Sequence, residues 1–373
     1  MDLSQTYSPF RSVLLREWRR MTSRRLYFGV CIVLPLFTLF FMATIFGNGQ
    51  MENIPIGIID QDNTATSRAI TRNISAVPTF KVVKHYVNEA AAREAVQKKE
   101  IYGYLSIPPR FEQNAITGKN ATLSYYYHYA LLSVGGELMA AFETSLAPVS
   151  LSPIIMEAVS LGADQQQITT FLLPVQANNH PIYNPSLDYS VYLSQPFFFV
   201  LFQVLILLTT VYTVGIEIKF RTATDWLATA KGNMITAVLG KLLPYTFIYI
   251  LIGWLGNYVM FGILHIPFQG SWWLINMITV LFVIATQALG LFIFSLFPAV
   301  SLVISVVSMV GSLGATLSGV TFPVSNMYPL VRDASYLFPV RHFTEMIQTM
   351  LYGGGGFIYL WPSMVILCIF PLL

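Results

Sequence analysis

The sequence predicts a polytopic α-helical membrane protein with about six transmembrane helices and an inserted extracytoplasmic α/β domain. Three observations lead to this fold class: 55% of the 373 residues are hydrophobic, only 10% are charged, and long uncharged runs recur along the chain. A soluble domain carries about 25% charged residues, so most of this chain must face lipid. Cys31 and Cys368 both lie inside apolar runs, which argues against a disulfide framework or a cysteine-based metal site.

The spans follow from the length of the uncharged runs, since a helix needs about 20 mostly apolar residues to cross a bilayer. The predicted spans are residues 26–51, the run between Asp188 and Glu217, residues 242–264, residues 273–296 and residues 300–321. The proline in SLFPAV (295–300) separates the fourth span from the fifth. The last eighteen residues, GFIYLWPSMVILCIFPLL, supply a sixth span.

Basic residues predict the orientation of these spans, because Lys and Arg accumulate in cytoplasmic flanks. Residues 1–25 form a predicted cytoplasmic amphipathic helix that contains Arg11, Arg16, Arg19, Arg20, Arg24 and Arg25. Six crossings then place both termini in the cytoplasm, together with the 217–241 loop. Residues 52–187 are expected outside. We expect the first span to be retained, because it is too long for a signal peptide and lacks a small-x-small cleavage site.

The external segment reads as strands that alternate with helices. IPIGIID (54–60), FKVVKHY (80–86), IYGYLSI (101–107) and ATLSYYY (121–127) are typical of strands, and the segments between them have helical composition. The βαβαβαβ order predicts a small α/β unit. Residues 131–173 are expected to be helical and to lead the chain back to the membrane.

Two short motifs in this segment each have two interpretations. Asp60 and Asp62 in DQDN are candidate ion ligands, or turn and cap residues at a strand end. The missing further carboxylates at ion-loop spacing favour the turn, so no metal site is predicted. The tyrosines at 125–127 and 129 offer an aromatic ligand surface or a strand with packing residues, and packing is the simpler reading.

The sequence has no nucleotide-binding or catalytic motif of its own. TGKN and LGKL lack the upstream glycine and the hydroxyl of a phosphate loop, and G-x-S-x-G and H-E-x-x-H are absent. The deep parts of the spans contain no ionisable residue, which disfavours a proton-driven carrier and an intramembrane protease. We therefore predict that the chain is not an enzyme and that ATP hydrolysis occurs on a partner subunit.

The charged stretch EIKFRTATDWLATAKGN (217–233) lies within a predicted cytoplasmic coupling loop at 217–236. A helix over residues 224–230 is expected to present Trp226 and Leu227 as an apolar anchor to a soluble ATPase, since Trp is enriched at interface hot spots. The predicted ATPase-coupling residues are Glu217, Lys219, Arg221, Thr222, Asp225, Trp226 and Leu227. The alternative is a solvated basic loop that only fixes the topology.

Several segments in their order resemble the membrane subunit of ABC exporters of the ABC-2 type, in the branch with a large external domain after the first span. They are FRSVLLREWRRMTSRR, IIDQDNTATSRAI, YGYLSIPPRFEQNAITGKNATL, YNPSLDYSVYLSQPFF, the 217–245 region and SGVTFPVSNMYPLVRDASYLFPVRHF. One position departs from the family: its loop reads Glu-x-Glu/Lys-x-Gly-Thr, and Arg221 stands where the glycine would be.

The resemblance implies a permease subunit in the bacterial inner membrane that exports a hydrophobic or amphipathic molecule, such as a drug-like compound or a lipid. It implies a homodimer, or a dimer with a sister permease, on two ABC ATP-binding subunits. Those subunits would hold ATP and Mg, so this chain is expected to bind no cofactor directly. A periplasmic adaptor and an outer-membrane channel are possible further partners, besides membrane lipid, and no nucleic acid is expected.

The resemblance also implies a pathway between the second and fifth spans of both copies. On the second span, the candidate pathway residues are Gln195, Phe198, Phe199, Phe202 and Gln203. Such a lining suits a hydrophobic substrate that needs one or two hydrogen bonds, and the alternative is plain lipid-facing phenylalanine. On the fifth span, small residues recur every four positions, at Gly311, Ala315 and Gly319, and predict close helix packing.

The segment 322–355 is predicted to be an external re-entrant segment of short half-helices that acts as an outer gate. Pro323, Pro329 and Pro339 break it, and Arg332–Asp333 and Arg341–Glu345 are expected to pair locally.

Two other classes of function compete with export. A mechanotransmission or receptor protein would use the same loop to pass force from a cytoplasmic ATPase to its external domain, but it needs few spans and no aromatic pathway. A surface receptor for phage or toxin would not need the internal loop.

Overall fold

The computed structural model describes residues 8–45, 49, 51–117, 121–131, 133–146, 184, 188–353 and 356–372. The chain divides into two compact units. The membrane unit comprises Met1–Gly49 and Pro181–Leu373, and the inserted unit comprises Gln50–His180.

The chain begins with two helices, α1 (Pro9–Ser23) and α2 (Arg25–Ile45). Ser8 caps α1, and the buried face of this helix carries Val13, Glu17 and Met21 at intervals of one turn. The predicted N-terminal amphipathic helix is therefore present. Helix α2 is apolar after its first residue, Arg25, and contains one wider π-helical turn at Gly29–Val33.

The inserted unit follows the predicted βαβαβαβ order. Its elements are β1 (Ile54–Asp60), α3 (Ala65–Ser75), β2 (Phe80–His85), α4 (Glu89–Gln97), β3 (Gly103–Ile107), α5 (Phe111–Ile116), β4 (Ser124–Tyr127) and a helix α6 over residues 133–146. The sheet order is β2-β1-β3-β4, with β1 parallel to both neighbours and β4 antiparallel to β3. The predicted helical stretch beyond residue 146 lies outside the described residues.

The core of the inserted unit lies between the sheet and its helices. Ile56, Ile58, Leu105 and Phe142 are fully buried in it. Tyr125 and Tyr127 of β4 are partly buried against this core, whereas Tyr126 and Tyr129 are exposed, so the packing interpretation is correct for the first two only. Tyr125 stacks on Phe142, with 5.1 Å between ring centroids.

The DQDN motif forms a turn and a helix cap, as the simpler interpretation predicted. Asp60 Oδ1 accepts hydrogen bonds from the backbone N–H groups of Asp62 and Asn63, each at 3.0 Å, and Asp60 Oδ2 accepts one from the Ser67 hydroxyl at 2.7 Å. Thr64 and Ser67 complete a capping box at the start of α3. In the described parts of the chain, no group of three or more His, Cys, Asp or Glu residues is arranged to hold a metal ion.

The remaining helices belong to the membrane unit. They are α7 (Ser190–Lys219), α8 (Ala223–Thr229), α9 (Met234–Ile263), α10 (Trp272–Leu296), α11 (Val300–Leu317), α12 (Pro329–Ser335), α13 (Pro339–Gly353) and α14 (Phe357–Ile369). Within the described residues, five helices are long and apolar enough to cross a membrane, namely α2, α7, α9, α10 and α11. Helix α14 and its final turn are apolar but shorter, so the sixth span stays a prediction.

Helix α9 is longer than the predicted third span. The third span was expected to start at Leu242, but α9 starts eight residues earlier, at Met234, after the cap residue Asn233. The charge of Lys241 suggested an end to the span, yet this side chain is fully buried within the helix. Its charge is tolerated there because carboxylates from two other helices surround it, as described below.

Helix α7 lies at the centre of the membrane unit and packs against α10 and α11. Glycines on α11 allow this close packing. A Cβ atom at Gly311 would lie 2.8 Å from Val204 Cγ2, and one at Gly314 would lie 2.7 Å from Gln203 Nε2. The predicted stripe is thus only partly correct, because Gly319 lies past the end of α11 with φ +85°, where it turns the chain. Ala315 is partly buried against the core.

Candidate functional site

Five charged side chains from α1, α7 and α9 meet next to the 217–233 loop, and we call them the ion cluster. They are Arg16, Glu17, Arg20, Glu217 and Lys241. Lys241 Nζ lies 2.7 Å from Glu17 Oε2 and 2.8 Å from Glu217 Oε1. Arg16 Nη2 lies 3.1 Å from Glu217 Oε2, and Arg20 pairs with the other oxygen of the same carboxylate.

The three central groups of the ion cluster are shielded from solvent, and Arg16 and Arg20 at its edge are partly exposed. Glu217 and Lys241 are 0% exposed and Glu17 is 1% exposed. Buried charges are tolerated only when each has partners, and here three cations surround two carboxylates. Burial lowers the pKa of Arg20, but the carboxylates of Glu217 and Glu17 raise it by more, so its pKa lies above the usual value. The cluster thus holds α1 against the adjacent ends of α7 and α9.

The loop between α7 and α8 folds back onto the same carboxylate. The Thr222 hydroxyl donates to Glu217, and the Thr222 backbone N–H donates to the Glu217 carbonyl oxygen at 2.8 Å. Arg221, between them in the turn, has φ +56°. This left-handed conformation favours glycine, the residue that the resemblance to ABC-2 permeases leads one to expect at this position.

Trp226 is buried, and the expectation of an exposed tryptophan anchor is wrong. Its side chain is 4% exposed, and its Nε1–H donates to the Ala237 carbonyl oxygen on α9 at 3.2 Å. Lys241 Nζ lies 5.3 Å from the centroid of the ring, a favourable position for a cation on an aromatic face. Leu227 is partly buried against the same core. The indole therefore fastens α8 to α9 instead of projecting outward.

Glu217 is likewise not part of an exposed charged rim, because the ion cluster encloses it. The predicted coupling residues that do remain exposed are Lys219, Arg221 and Asp225. Phe220, between two of them, is 56% exposed. We call the set Lys219, Phe220, Arg221 and Asp225 the loop surface.

Sequence reasoning missed Glu17, Lys241 and Phe220 as members of this site. A signal was present for each of the first two: Glu17 is the single acidic residue in the sequence of α1, and Lys241 is the last charged residue of the 217–241 loop. Their contact joins positions 224 residues apart, which no local pattern predicts.

The predicted pathway residues come together, but inside the packed core. Gln195, Phe198, Phe199, Phe202 and Gln203 are all 0% exposed, so the lipid-facing alternative is wrong for the three phenylalanines. Phe199 contacts Phe343 of α13, with 4.2 Å between ring centroids. Gln203 Oε1 accepts a hydrogen bond from the Val340 backbone N–H at 2.8 Å. Phe199 and Gln203 thus tie α7 to α13, and Phe202 packs against Tyr249 of α9, with 5.5 Å between ring centroids.

The segment 322–353 forms the predicted short helices. It contains the turn Val324–Asn326 and helices α12 and α13. Both predicted ion pairs are present, with 3.4 Å between Arg332 Nε and Asp333 Oδ1 and 2.9 Å between Arg341 Nη1 and Glu345 Oε2.

The family of the chain follows from comparison with known proteins. The family described as "ABC-2 family transporter protein" matches residues 25–373, and the chain belongs to this family. It is thus a multi-pass membrane protein, in agreement with its apolar helices.

Two curated relatives are similar to part of the chain. The probable multidrug ABC transporter permease YbhS of Escherichia coli K12 is 29% identical over 122 residues, which is 32% of each chain. The inner membrane transport permease YhhJ of Escherichia coli K12 is 30% identical over 109 residues, which is 28% of each chain. The matches thus cover about a third or less of the length of these relatives.

Proposed function

We propose that this chain is the membrane-spanning permease subunit of an ATP-driven exporter that moves a hydrophobic or amphipathic molecule, drug-like or lipid. Family membership and the names of the two relatives support this class. The single observation that carries the coupling part of the proposal is the ion cluster, which joins α1, α7 and α9 next to an exposed loop.

The ion cluster suits a coupling element because it makes one rigid body of parts that are distant in sequence. A soluble ATPase that pushes on α8 or α1 would move the ends of α7 and α9 together, since their buried charges cannot separate without large cost. Packed helices respond to such a push by tilting or sliding as units. ATPase closure is converted in this way into movement of the spans.

The loop surface is the proposed docking point for the ATPase. Phe220 supplies an exposed aromatic ring, and Lys219, Arg221 and Asp225 surround it with charge. Phe220, and not Trp226, is therefore the proposed aromatic anchor. Two ABC ATP-binding subunits would bind ATP and Mg, and this chain would bind neither.

The remaining assembly follows from the proposed class. We place the protein in the bacterial inner membrane with both termini and the loop surface in the cytoplasm. It would act as a homodimer or with a sister permease, with a periplasmic adaptor and an outer-membrane channel as further candidate partners. For a substrate to pass, the contacts of Phe199 and Gln203 with α13 must open.

The docking part is tested by photo-cross-linking in native membranes. A p-benzoylphenylalanine replaces Phe220 in the full chain, and the matched control carries it at Phe247 of α9, which is 57% exposed compared with 56% for Phe220. We expect position 220 to cross-link to a subunit with a G-x-x-x-x-G-K-[ST] phosphate loop, and position 247 to give no such product. The purified complex should hydrolyse ATP, and the chain alone should not. Equal cross-linking at both positions, or ATP hydrolysis by the chain alone, would overturn the proposal.

A force-transmitting protein is the second candidate, and one observation favours it: the predicted pathway residues are closed inside the core. Proteoliposomes that contain the chain and its ATPase separate the two functions. ATP-dependent movement of a lipophilic dye across the bilayer supports export. ATP hydrolysis without any such movement, for dyes and labelled lipids alike, supports force transmission.

A further inference from the structure

A cavity of about 530 Å³, lined by both polar and apolar groups, lies in the membrane unit, where the chain leaves α11 and enters α12 and α13. Its volume is within the range of roughly 300–1,000 Å³ typical of small-molecule sites. Tyr192 at the start of α7 and Tyr336 after α12 contribute aromatic walls, and Arg332, Arg341 and Glu345 contribute charge. We call it the arginine cavity.

Arg341 is the central feature of the arginine cavity. The residue is only 7% exposed. Its Nη1 pairs with Glu345 at 2.9 Å, and its guanidinium carbon lies 5.8 Å from the centre of the Tyr336 ring. Its Nε–H has no hydrogen-bond partner among the described residues. A buried charged donor without an acceptor is costly, so an oxygen atom that a ligand brings next to it would be favourable.

The charge balance of the cavity favours an anion. Two arginines line it against one carboxylate, that of Glu345. This carboxylate is already engaged twice, since Glu345 Oε2 pairs with Arg341 and also accepts a hydrogen bond from the Ser363 hydroxyl at 2.9 Å. Arg332 also pairs with Asp333, which does not line the cavity, with 3.4 Å between Nε and Oδ1. Both side chains are exposed, so this pair is weak and the other donors of Arg332 stay available to a ligand.

We propose that the arginine cavity binds the phosphate or carboxylate group of an amphipathic molecule, next to the tyrosine rings. The planar guanidinium of Arg341 offers parallel N–H donors that match the oxygens of such a group. This inference rests on the proposed export function, for which it names the chemistry of the substrate headgroup. The headgroup would belong to a membrane phospholipid or to a dissolved anion.

Binding is measured without nucleotide or ATPase, so failure here is separate from failure of the export proposal. The full chain in dodecyl maltoside is titrated with dodecyl phosphate, a single-chain amphipathic phosphate, by isothermal titration calorimetry. Neutral dodecanol is the control ligand. We expect dodecyl phosphate to bind at least tenfold more tightly than dodecanol.

Three variants test the residues, and a fourth is the control. Arg341→Gln should weaken dodecyl phosphate binding about tenfold or more, because it removes a charge-assisted donor. Arg332→Gln, at a more exposed position, should weaken it severalfold. Glu345→Gln should tighten binding severalfold, because it removes the competing carboxylate while it keeps the shape. Arg72→Gln changes an exposed arginine of the inserted unit and should leave binding unchanged.

The opposite sign of the Glu345 effect keeps the inference testable even if Arg341→Gln does not fold. Equal binding of dodecyl phosphate and dodecanol to the wild type would overturn it. So would weaker or unchanged binding by Glu345→Gln.

Two further arms identify the source of the anion. In one, the chain is placed in phosphatidylglycerol nanodiscs or in phosphatidylcholine nanodiscs, and the two lipids are compared for how far they prevent dodecyl phosphate from binding to the cavity. In the other, inorganic phosphate competes in detergent. Exclusion by phosphatidylglycerol alone assigns the cavity to a lipid headgroup, and competition by inorganic phosphate assigns it to a dissolved anion. If neither competes, the bound group is not a phosphate headgroup and the inference fails.

Discussion

Lys241 on α9 and Glu217 on α7 form a fully buried ion pair, with 2.8 Å between Nζ and Oε1. Lys241 also pairs with Glu17 on α1 at 2.7 Å. One ammonium group therefore holds two carboxylates from two other helices, at the place where the protein is proposed to receive force. The contacts within this cluster lead to the first prediction.

Lys241→Met should lower the free energy of unfolding by about 3–5 kcal/mol, because it leaves two carboxylates buried without their shared cation. Adding Glu17→Gln to Lys241→Met should recover part of this loss. The measurement is denaturant unfolding of the full chain in detergent. The control is Lys98→Met, which removes an ion pair with the same 2.7 Å separation but on the exposed face of α4, and it should leave the unfolding midpoint unchanged. A Lys241→Met protein as stable as the wild type would contradict the role of the cluster.

Arg221→Gly should stabilise the protein. The left-handed conformation costs a non-glycine residue about 1–2 kcal/mol. Glycine also makes the unfolded chain more flexible, which lowers the free energy of unfolding by about 0.4–1 kcal/mol. The net gain should be of order 0.5–1 kcal/mol, seen as a higher unfolding midpoint. Lys219→Gly, at the end of α7, is the control and should instead destabilise by about 0.5–1 kcal/mol. Destabilisation by both changes would mean that Arg221 makes a contact worth more than its strain.

Gly311→Ala should destabilise the α7–α11 contact by about 1–3 kcal/mol, because the new methyl group meets Val204 at a distance that requires a shift. Val204→Ala in the same chain should restore much of the loss. Gly29→Ala on α2 is the control, since no atom lies within 4 Å of its Cβ position. Thermal unfolding of the four proteins checks this, and the absence of rescue by Val204→Ala would show that the clash lies elsewhere.

Gln203→Leu should cost about 1–3 kcal/mol, because it leaves the Val340 backbone N–H buried without its acceptor. If Gln203 is chiefly structural in this way, transport of all substrates should fall together with the amount of folded protein. A pathway role predicts a different result: the stability of the protein stays normal, and the ranking of substrates by transport rate changes. Gln97→Leu, at an exposed position on α4, should affect neither quantity.

Asp60→Ala should loosen the start of α3, because it removes three hydrogen bonds from the turn and the cap. A loss of about 1–2 kcal/mol is expected from such caps. Hydrogen exchange of the α3 amides in the full chain measures it. Added Ca²⁺ should leave the wild-type exchange unchanged, and protection by Ca²⁺ would restore the ion-site interpretation.

Local patterns in the sequence predicted much of the fold. The length of apolar runs, the strand and helix alternation in the inserted unit and the break at SLFPAV all depend on neighbours in the chain. Each corresponds to a feature of the structure: the five long apolar helices, the order of strands and helices in the inserted unit, and the gap between α10 and α11. The departure at Arg221 was visible in the sequence, and its meaning became clear from its positive φ.

The sequence by itself determined that this chain is a membrane protein with an inserted α/β unit, because burial in lipid and helix length are set by consecutive residues. Only the tertiary structure decided what the charged and aromatic residues of the loop do. Trp226 and Glu217 read as exposed because their neighbours are polar, yet both are buried by partners from other helices. A buried charge needs counterions, and folding brings these from distant positions in the chain, such as Glu17 and Lys241. The spacing of residues along the sequence does not predict such contacts.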